Sequence, residues 1–124
     1  MKNDGGVKTH KDLDVWKRSM GFITLLYKLT TNFPKNEIYG LTNQMRRAAV
    51  SIPSNIAEGA ARKSNKEYIQ FLYIALGSAA ELETQLIVSK NLNFIDDKSF
   101  DLLIKERDEI AQMLFGLIRY RKSL

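Results

Sequence analysis

Apolar residues recur at intervals of three and four along most of this 124-residue chain, the period of helices that each bury one face. The pattern is densest over residues 40–59, which read GLTNQMRRAAVSIPSNIAEG. There Ile38, Leu41, Met45, Ala48, Ile52 and Ile56 form one face, and Asn43, Arg47, Ser51, Ser54 and Glu58 fall opposite. Pro53 lies inside the repeat. It removes the N–H that would bond the Ala49 carbonyl, and because the repeat continues to Ile56, a kink and not a break is predicted.

The neighbouring segments give three more helices. Asp12 is a plausible N-cap for a first helix over residues 13–32. Leu13, Trp16, Met20, Ile23 and Tyr27 make one apolar side of it, and Val15, Phe22, Leu26, Leu29 and Phe33 another. Phe33-Pro34 ends it, because a residue before proline avoids the helical region. The second helix is predicted over residues 36–61. Ser64-Asn65-Lys66-Glu67 is a capping-box pattern that opens the third. Tyr68, Leu72, Ala75, Ala79, Leu82 and Leu86 then follow a heptad spacing, with Ile69, Tyr73, Leu76, Ala80 and Ile87 on a second apolar side. Asn91-Leu92-Asn93 reads as a stop and Asp96-Asp97 as the next start. The fourth helix, over residues 97–121, turns Phe100, Leu103, Ile104, Ile110, Ala111, Leu114, Leu117 and Ile118 inward, with Arg107 on the same face.

Four long helices with short links predict an all-α, antiparallel up-down-up-down four-helix bundle, helix two kinked at Pro53. The bundle is expected over residues 12–124, after a flexible tail at residues 1–11. The apolar faces of helices one and three are broader than a lone bundle must bury, so a homo-oligomer is expected.

Composition narrows the chemistry. No cysteine is present, which excludes disulfides and thiolate metal sites and suits a reducing, cytoplasmic setting. The N-terminal residues lack the apolar core of a signal peptide, and no uninterrupted apolar run reaches the ~20 residues of a membrane span. No membrane association is expected. Residues 1–66 carry 12 Lys and Arg against 5 Asp and Glu, whereas residues 67–124 carry 7 against 9. A basic half points to a polyanion partner, RNA or DNA; the alternative is complementary halves that pack together.

Catalytic groups are sparse. His10 is the only histidine and falls in the expected tail, the Glu-x-x-His pairs of a bundle di-metal site are missing, and Glu81 and Glu83 are two apart and share no helix face. Neither an enzyme nor a cofactor or metal is expected. The cations say more. Lys17, Arg18, Arg47, Arg62, Lys63 and Lys66 are candidate phosphate contacts, with Arg62, Lys63 and Lys66 clustered where a loop should be exposed. Arg46 and Arg107 sit on apolar flanks, where a guanidinium needs a partner. Glu58, Glu81 or Glu83 would supply it within the bundle or across a subunit interface. Tyr39 joins that interface group and is the one aromatic candidate for contact with a base.

Residues 40–86, with the core RRAAVSIPSNIAEG, closely resemble a bacterial four-helix-bundle family named after reading frames in the intervening sequences of 23S rRNA genes. Residues 12–41 resemble its first helix and loop. Ala61 departs from the pattern, which has glycine there. The resemblance implies a four-helix bundle assembled as a ring-shaped homo-oligomer, a pentamer. It also implies kinship in fold with the accessory protein of diversity-generating retroelements, a positively charged barrel that works with a reverse transcriptase and its RNA. It brings no catalytic residues. The functional expectation is a non-enzymatic oligomer that binds nucleic acid, RNA above all, with low sequence specificity; a scaffold for a protein partner such as a polymerase or reverse transcriptase is the alternative.

Overall fold

A computed structural model describes residues 9–124. It contains four α-helices, α1 (Asp14–Thr30), α2 (Leu41–Ala60), α3 (Asn65–Asn91) and α4 (Asp97–Lys122), with short 3-10 turns at His10–Asp12 and Lys35–Glu37. Residues 1–8 of the expected tail lie outside the described residues. Its last part is structured: Thr9 and Asp12 cap each other's backbone N–H groups around the first 3-10 turn, and the His10 ring meets Trp16 edge-on at 5.3 Å. Asp12 therefore does not cap α1, whose N-cap position is Leu13 with no side-chain hydrogen bond.

Each helix packs on two neighbours, α1 and α3 both lying between α2 and α4. Side-chain pairs give the directions. Met45 lies beside Ser89, Ser51 bonds Ser78, and Gly59 lies beside Tyr68 and Phe71, so residue order rises along α2 as it falls along α3. Asn65 with Arg121, Ala79 with Arg107 and Lys90 with Asp97 show the same reversal between α3 and α4.

The heptad of α3 is buried at all six positions, Tyr68, Leu72, Ala75, Ala79, Leu82 and Leu86. It meets Phe22 and Leu26 of α1, Met45, Ile52 and Ile56 of α2, and Leu103, Ile110, Leu114 and Ile118 of α4 in one core. Each large side chain fully removed from water contributes about 1.5–3 kcal/mol. In α1 the two apolar sides are unequal: Val15, Phe22 and Leu26 are buried, while Met20 and Tyr27 stay about two-fifths exposed. Ser19 completes the buried side by donating its hydroxyl to the Val15 carbonyl.

The helix ends follow local chemistry. The Ser64 side chain caps the Glu67 N–H and Asp96 caps Ser99, as the capping patterns predict. Beyond α3, Asn93 takes a left-handed φ of 61°. The Asn93 N–H then reaches the Lys90 carbonyl and the Phe94 N–H the Ser89 carbonyl, which is a Schellman stop. Helix two begins five residues later than its apolar pattern implies, because Glu37 folds back to accept from the Leu41 N–H at 3.1 Å. It then runs unbroken through Pro53, itself buried. Ala61 is right-handed, φ −84°, so glycine is not needed there. Gly59 is: a Cβ would lie 2.8 Å from the Phe71 Cβ and 3.1 Å from the Tyr68 carbonyl, so this glycine allows α2 and α3 to converge.

Among the described residues α3 is the one helix long and apolar enough by length and composition to cross a membrane, with 33% of its most apolar window buried in the bundle. The exposed remainder includes Tyr73, Ile74, Ile87 and Val88.

Candidate nucleic-acid interface

The antiparallel order brings the start of α1, the α2–α3 link and the last turn of α4 to one end of the bundle. Eight cations, Lys11, Lys17, Arg62, Lys63, Lys66, Arg119, Arg121 and Lys122, lie in these terminal turns and links against four acids, Asp12, Asp14, Glu58 and Glu67. At the opposite end Lys28, Lys35, Lys90 and Lys98 face Glu37, Asp96 and Asp97, nearly in balance. The basic excess is thus a property of one end of the fold.

A cavity of about 300 Å³ opens there, lined by Thr9, His10, Leu13, Ala60, Arg62, Lys63, Ser64, Asn65, Tyr68 and Arg121. Among the described residues no carboxylate lines it. Arg121 is fixed by its Nε donating to Asn65 Oδ1 at 2.7 Å, while Asn65 Nδ2 donates to the Arg121 carbonyl at 2.7 Å. Its guanidinium lies 4.4 Å from the Tyr68 ring centre. Arg62 is placed the same way, its guanidinium 4.8 Å from the Phe71 ring centre and its Nη2 3.3 Å from Glu58 Oε2. Such cation–π seats hold direction as well as charge. Burial pushes the Tyr68 phenol up, and the nearby Arg121 only partly opposes this, so Tyr68 itself is uncharged at neutral pH.

The structure divides the sequence candidates. Lys63 and Lys66 are exposed beside Arg62, and Lys17 is exposed on the first turn of α1. Arg18 belongs elsewhere: its Nε is 2.8 Å from Glu106 Oε1 and its Nη2 3.9 Å from Glu109 Oε2. That ties α1 to α4 and takes the charge out of a phosphate ridge, which sequence alone could not show because its partners are 88 and more residues away. Arg47 is exposed but sits on the side of α2, roughly 16 Å along the helix from Glu58 at 1.5 Å per residue. It lines a larger, more apolar cleft of about 570 Å³ with Tyr27, Tyr39, Arg46 and Val50.

The network candidates divide too. Arg107, with only 12% of its side chain exposed, reaches Glu83 at 3.5 Å, donates Nη1 to the Ala79 carbonyl and also holds Asp108. Arg46 finds no acid; its Nε donates to Thr30 Oγ1 at 3.1 Å, its Nη2 to the Tyr27 carbonyl, and its guanidinium covers the Tyr27 ring. The expected Glu58 pair goes to Arg62, and Glu81 accepts from Gln85. Tyr39 is 91% exposed. Sequence reasoning missed His10, Asn65, Arg119, Arg121 and Lys122 at the basic end. The up-down-up-down order of four helices was the signal that would have brought the basic last turn of α4 to Arg62.

Among the described residues no group of three His, Cys, Asp or Glu side chains could hold a metal. Comparison with curated proteins finds no match. The crystal structure of a protein of unknown function from the S23 ribosomal protein family of Bacteroides thetaiotaomicron has the same fold, with a TM-score of 0.78 and 24% identity, over 85% of this chain and 95% of that one. A family model, the 23S rRNA-intervening sequence protein, matches residues 11–116. Those residues take in the packed core, the Gly59 crossing and the link that carries Arg62 and Lys63, so the chain belongs to the 23S rRNA-intervening sequence protein family.

Proposed function

We propose that this protein is a non-enzymatic, oligomeric bundle whose basic end binds nucleic acid, RNA in particular, with little sequence specificity. The observation that carries this reading is the gathering of eight cations against four acids at one end of the fold, from three separated parts of the chain. Side chains that neutralise phosphates release counterions, so binding should weaken steeply with salt. Exposed Tyr73 and Tyr120 stand near these cations, Tyr73 beside Lys122, and stacking on such rings tolerates any base, which supports low specificity. A bend of α2 at Pro53 belongs to the same reading, since it would set the direction in which Arg62 and Lys63 leave the bundle.

The test is gel-shift or anisotropy titration of structured RNA at several salt concentrations. The protein should bind at low salt, and Arg62→Glu with Lys63→Glu should lower affinity by at least about tenfold with oligomer mass unchanged. Failure to shift RNA at low salt would remove the reading, and a variant that falls apart would assign these residues to structure.

A second reading, a scaffold for a protein partner such as a polymerase or reverse transcriptase, is favoured by the apolar side of α3. Tyr73, Ile74, Ile87 and Val88 are each more than a third exposed, and nothing lies within 4 Å of a Cβ at Gly77. We assign most of this surface to self-association, with a pentamer as the form. Light scattering should then give a mass well above 14.2 kDa; a monomer would contradict it. Capture of a specific polymerase that survives high salt and nuclease would favour the scaffold.

A further inference from the structure

We propose that the cavity between Arg62, Lys63 and Arg121 is a phosphomonoester site that takes the 5′-terminal phosphate of a nucleic-acid strand. This rests on the reading of the basic end as a nucleic-acid surface, and adds which part of the strand is held there.

The three cations reach one cavity from two places in the chain, the α2–α3 link and the end of α4. Both guanidiniums are already positioned. Arg62 is seated on Phe71 and held at one nitrogen by Glu58; Arg121 is seated on Tyr68 and held at Nε by Asn65. Among the described residues, Arg62 keeps Nε and Nη1 unpaired and Arg121 keeps both Nη groups unpaired. Lys63 is exposed and lines the same cavity. A ligand therefore meets fixed donors, and little side-chain freedom is lost on binding.

Charge and shape select the ligand. Three cations less the Glu58 carboxylate leave two positive charges beside the cavity. A terminal phosphate carries close to two negative charges and three acceptor oxygens; an internal phosphodiester carries one charge and two free oxygens. The internal linkage must also continue on both sides. The Thr9–Leu13 segment walls one side of this cavity and the first turn of α3 another. A chain end has to pass these walls once, whereas a through-running strand has to pass them twice. The other clefts fit less well: the one beside Arg47 has Arg46 committed to Thr30 and Tyr27, and that between Asp101 and Glu109 is acidic.

The test compares one short single-stranded RNA carrying a 5′-phosphate or a 5′-hydroxyl, by anisotropy with the full-length protein at fixed salt. The phosphorylated strand should bind about tenfold more tightly, as charge-assisted hydrogen bonds to one phosphate would give. Lys63→Gln, a change at an exposed side chain, should bring the ratio close to one while the 5′-hydroxyl strand loses much less. Arg62→Gln should do the same by an independent route. Millimolar inorganic phosphate should erase the preference and leave the rest of the binding in place. Equal affinities for the two strands, with salt dependence intact, would overturn the cavity assignment and leave the basic-end reading standing. A preference that survives both substitutions would overturn it as well. A nucleoside 5′-monophosphate competing as strongly as the phosphorylated strand would replace the strand end with a free nucleotide as the ligand. Binding of neither strand at low salt would remove both readings.

Discussion

The two ends of this bundle are built by the same four helices and solve different problems. At the end where α1 meets α2 and α3 meets α4, the chain closes over apolar side chains. Phe33 is 5% exposed and packs on Phe94 at 5.7 Å, Ile95 is buried beside them, and a left-handed Asn93 turns the chain into this plug. At the other end a polar cavity stays open, and its arginines rest on Phe71 and Tyr68 rather than being covered by them. The closed end still holds a cleft of about 510 Å³ beside Phe33, and among the described residues the buried Thr42 hydroxyl there has no partner. The basic end keeps cationic donors in fixed directions, and among the described residues no acid lines the space between them. The difference teaches where to look for an anionic partner: where several cationic donors are held around one cavity, and not merely where a cleft is present or charges are numerous.

The strongest way to break this comparison is at the closed end. Phe33→Ala should cost about 3–5 kcal/mol of stability, the range for a buried phenylalanine, read from the denaturation midpoint. Under conditions where the variant is folded, its RNA affinity should be unchanged. An equal fall in affinity would show that the ends are not independent.

Gly59→Ala probes the one place where packing and binding share residues. The new Cβ would meet the Phe71 Cβ at 2.8 Å, a backbone-proximal atom that cannot swing aside. Forcing α2 and α3 apart should cost about 1–3 kcal/mol. Because Tyr68 and Phe71 seat Arg121 and Arg62, the same change should also reduce the preference for a 5′-phosphate. A stability loss with the preference intact would show that the arginines keep their directions without their seats.

A smaller effect is expected at Asn93. Left-handed backbone costs an ordinary residue about 1–2 kcal/mol, and asparagine tolerates it better than most. Asn93→Ala should therefore lower stability by about 1 kcal/mol, and Asn93→Gly should not. Measured against the Gly59 variant, it separates a strained closure at the plugged end from a crowded crossing at the open one.

Much of this was legible in the sequence, and the limits have physical causes. The α3 heptad is read correctly because every one of its positions turns into the core between α2 and α4; Ser64 and Asp96 are read correctly because capping is local. The start of α2 is misplaced because the deciding contact, Glu37 to the Leu41 N–H, competes with an apolar repeat that includes the half-exposed Ile38. Asp12 is a plausible cap by residue type, yet it bonds backward to Thr9. The cavity was invisible for a different reason. Arg62 and Lys63 were singled out, but Arg121 and Asn65 are 56 positions apart, and only the antiparallel arrangement brings them together. The pairing of Arg18 was hidden for the mirror-image reason, since Glu106 and Glu109 belong to α4.

That pair offers the mildest test, because it lies along the α1–α4 seam between the two ends. The hydrogen bond from Arg18 lowers the Glu106 carboxyl below its ordinary value of 4.5, partly opposed by burial. A carboxyl depressed in the folded state contributes stability that is fully present above its unfolded pKa and is lost as pH falls through the folded one. The seam should therefore be constant from neutral pH down to about pH 5 and weaken below it. Arg18→Gln should lower the melting temperature slightly at neutral pH, since a half-exposed pair contributes little. It should also flatten the fall in stability below pH 5, so that protein and variant converge in acid. Curves that stay parallel through that range would mean Glu106 keeps another partner. A variant that also lost RNA affinity in proportion to one charge would return Arg18 to the phosphate ridge from which its bond to Glu106 removes it.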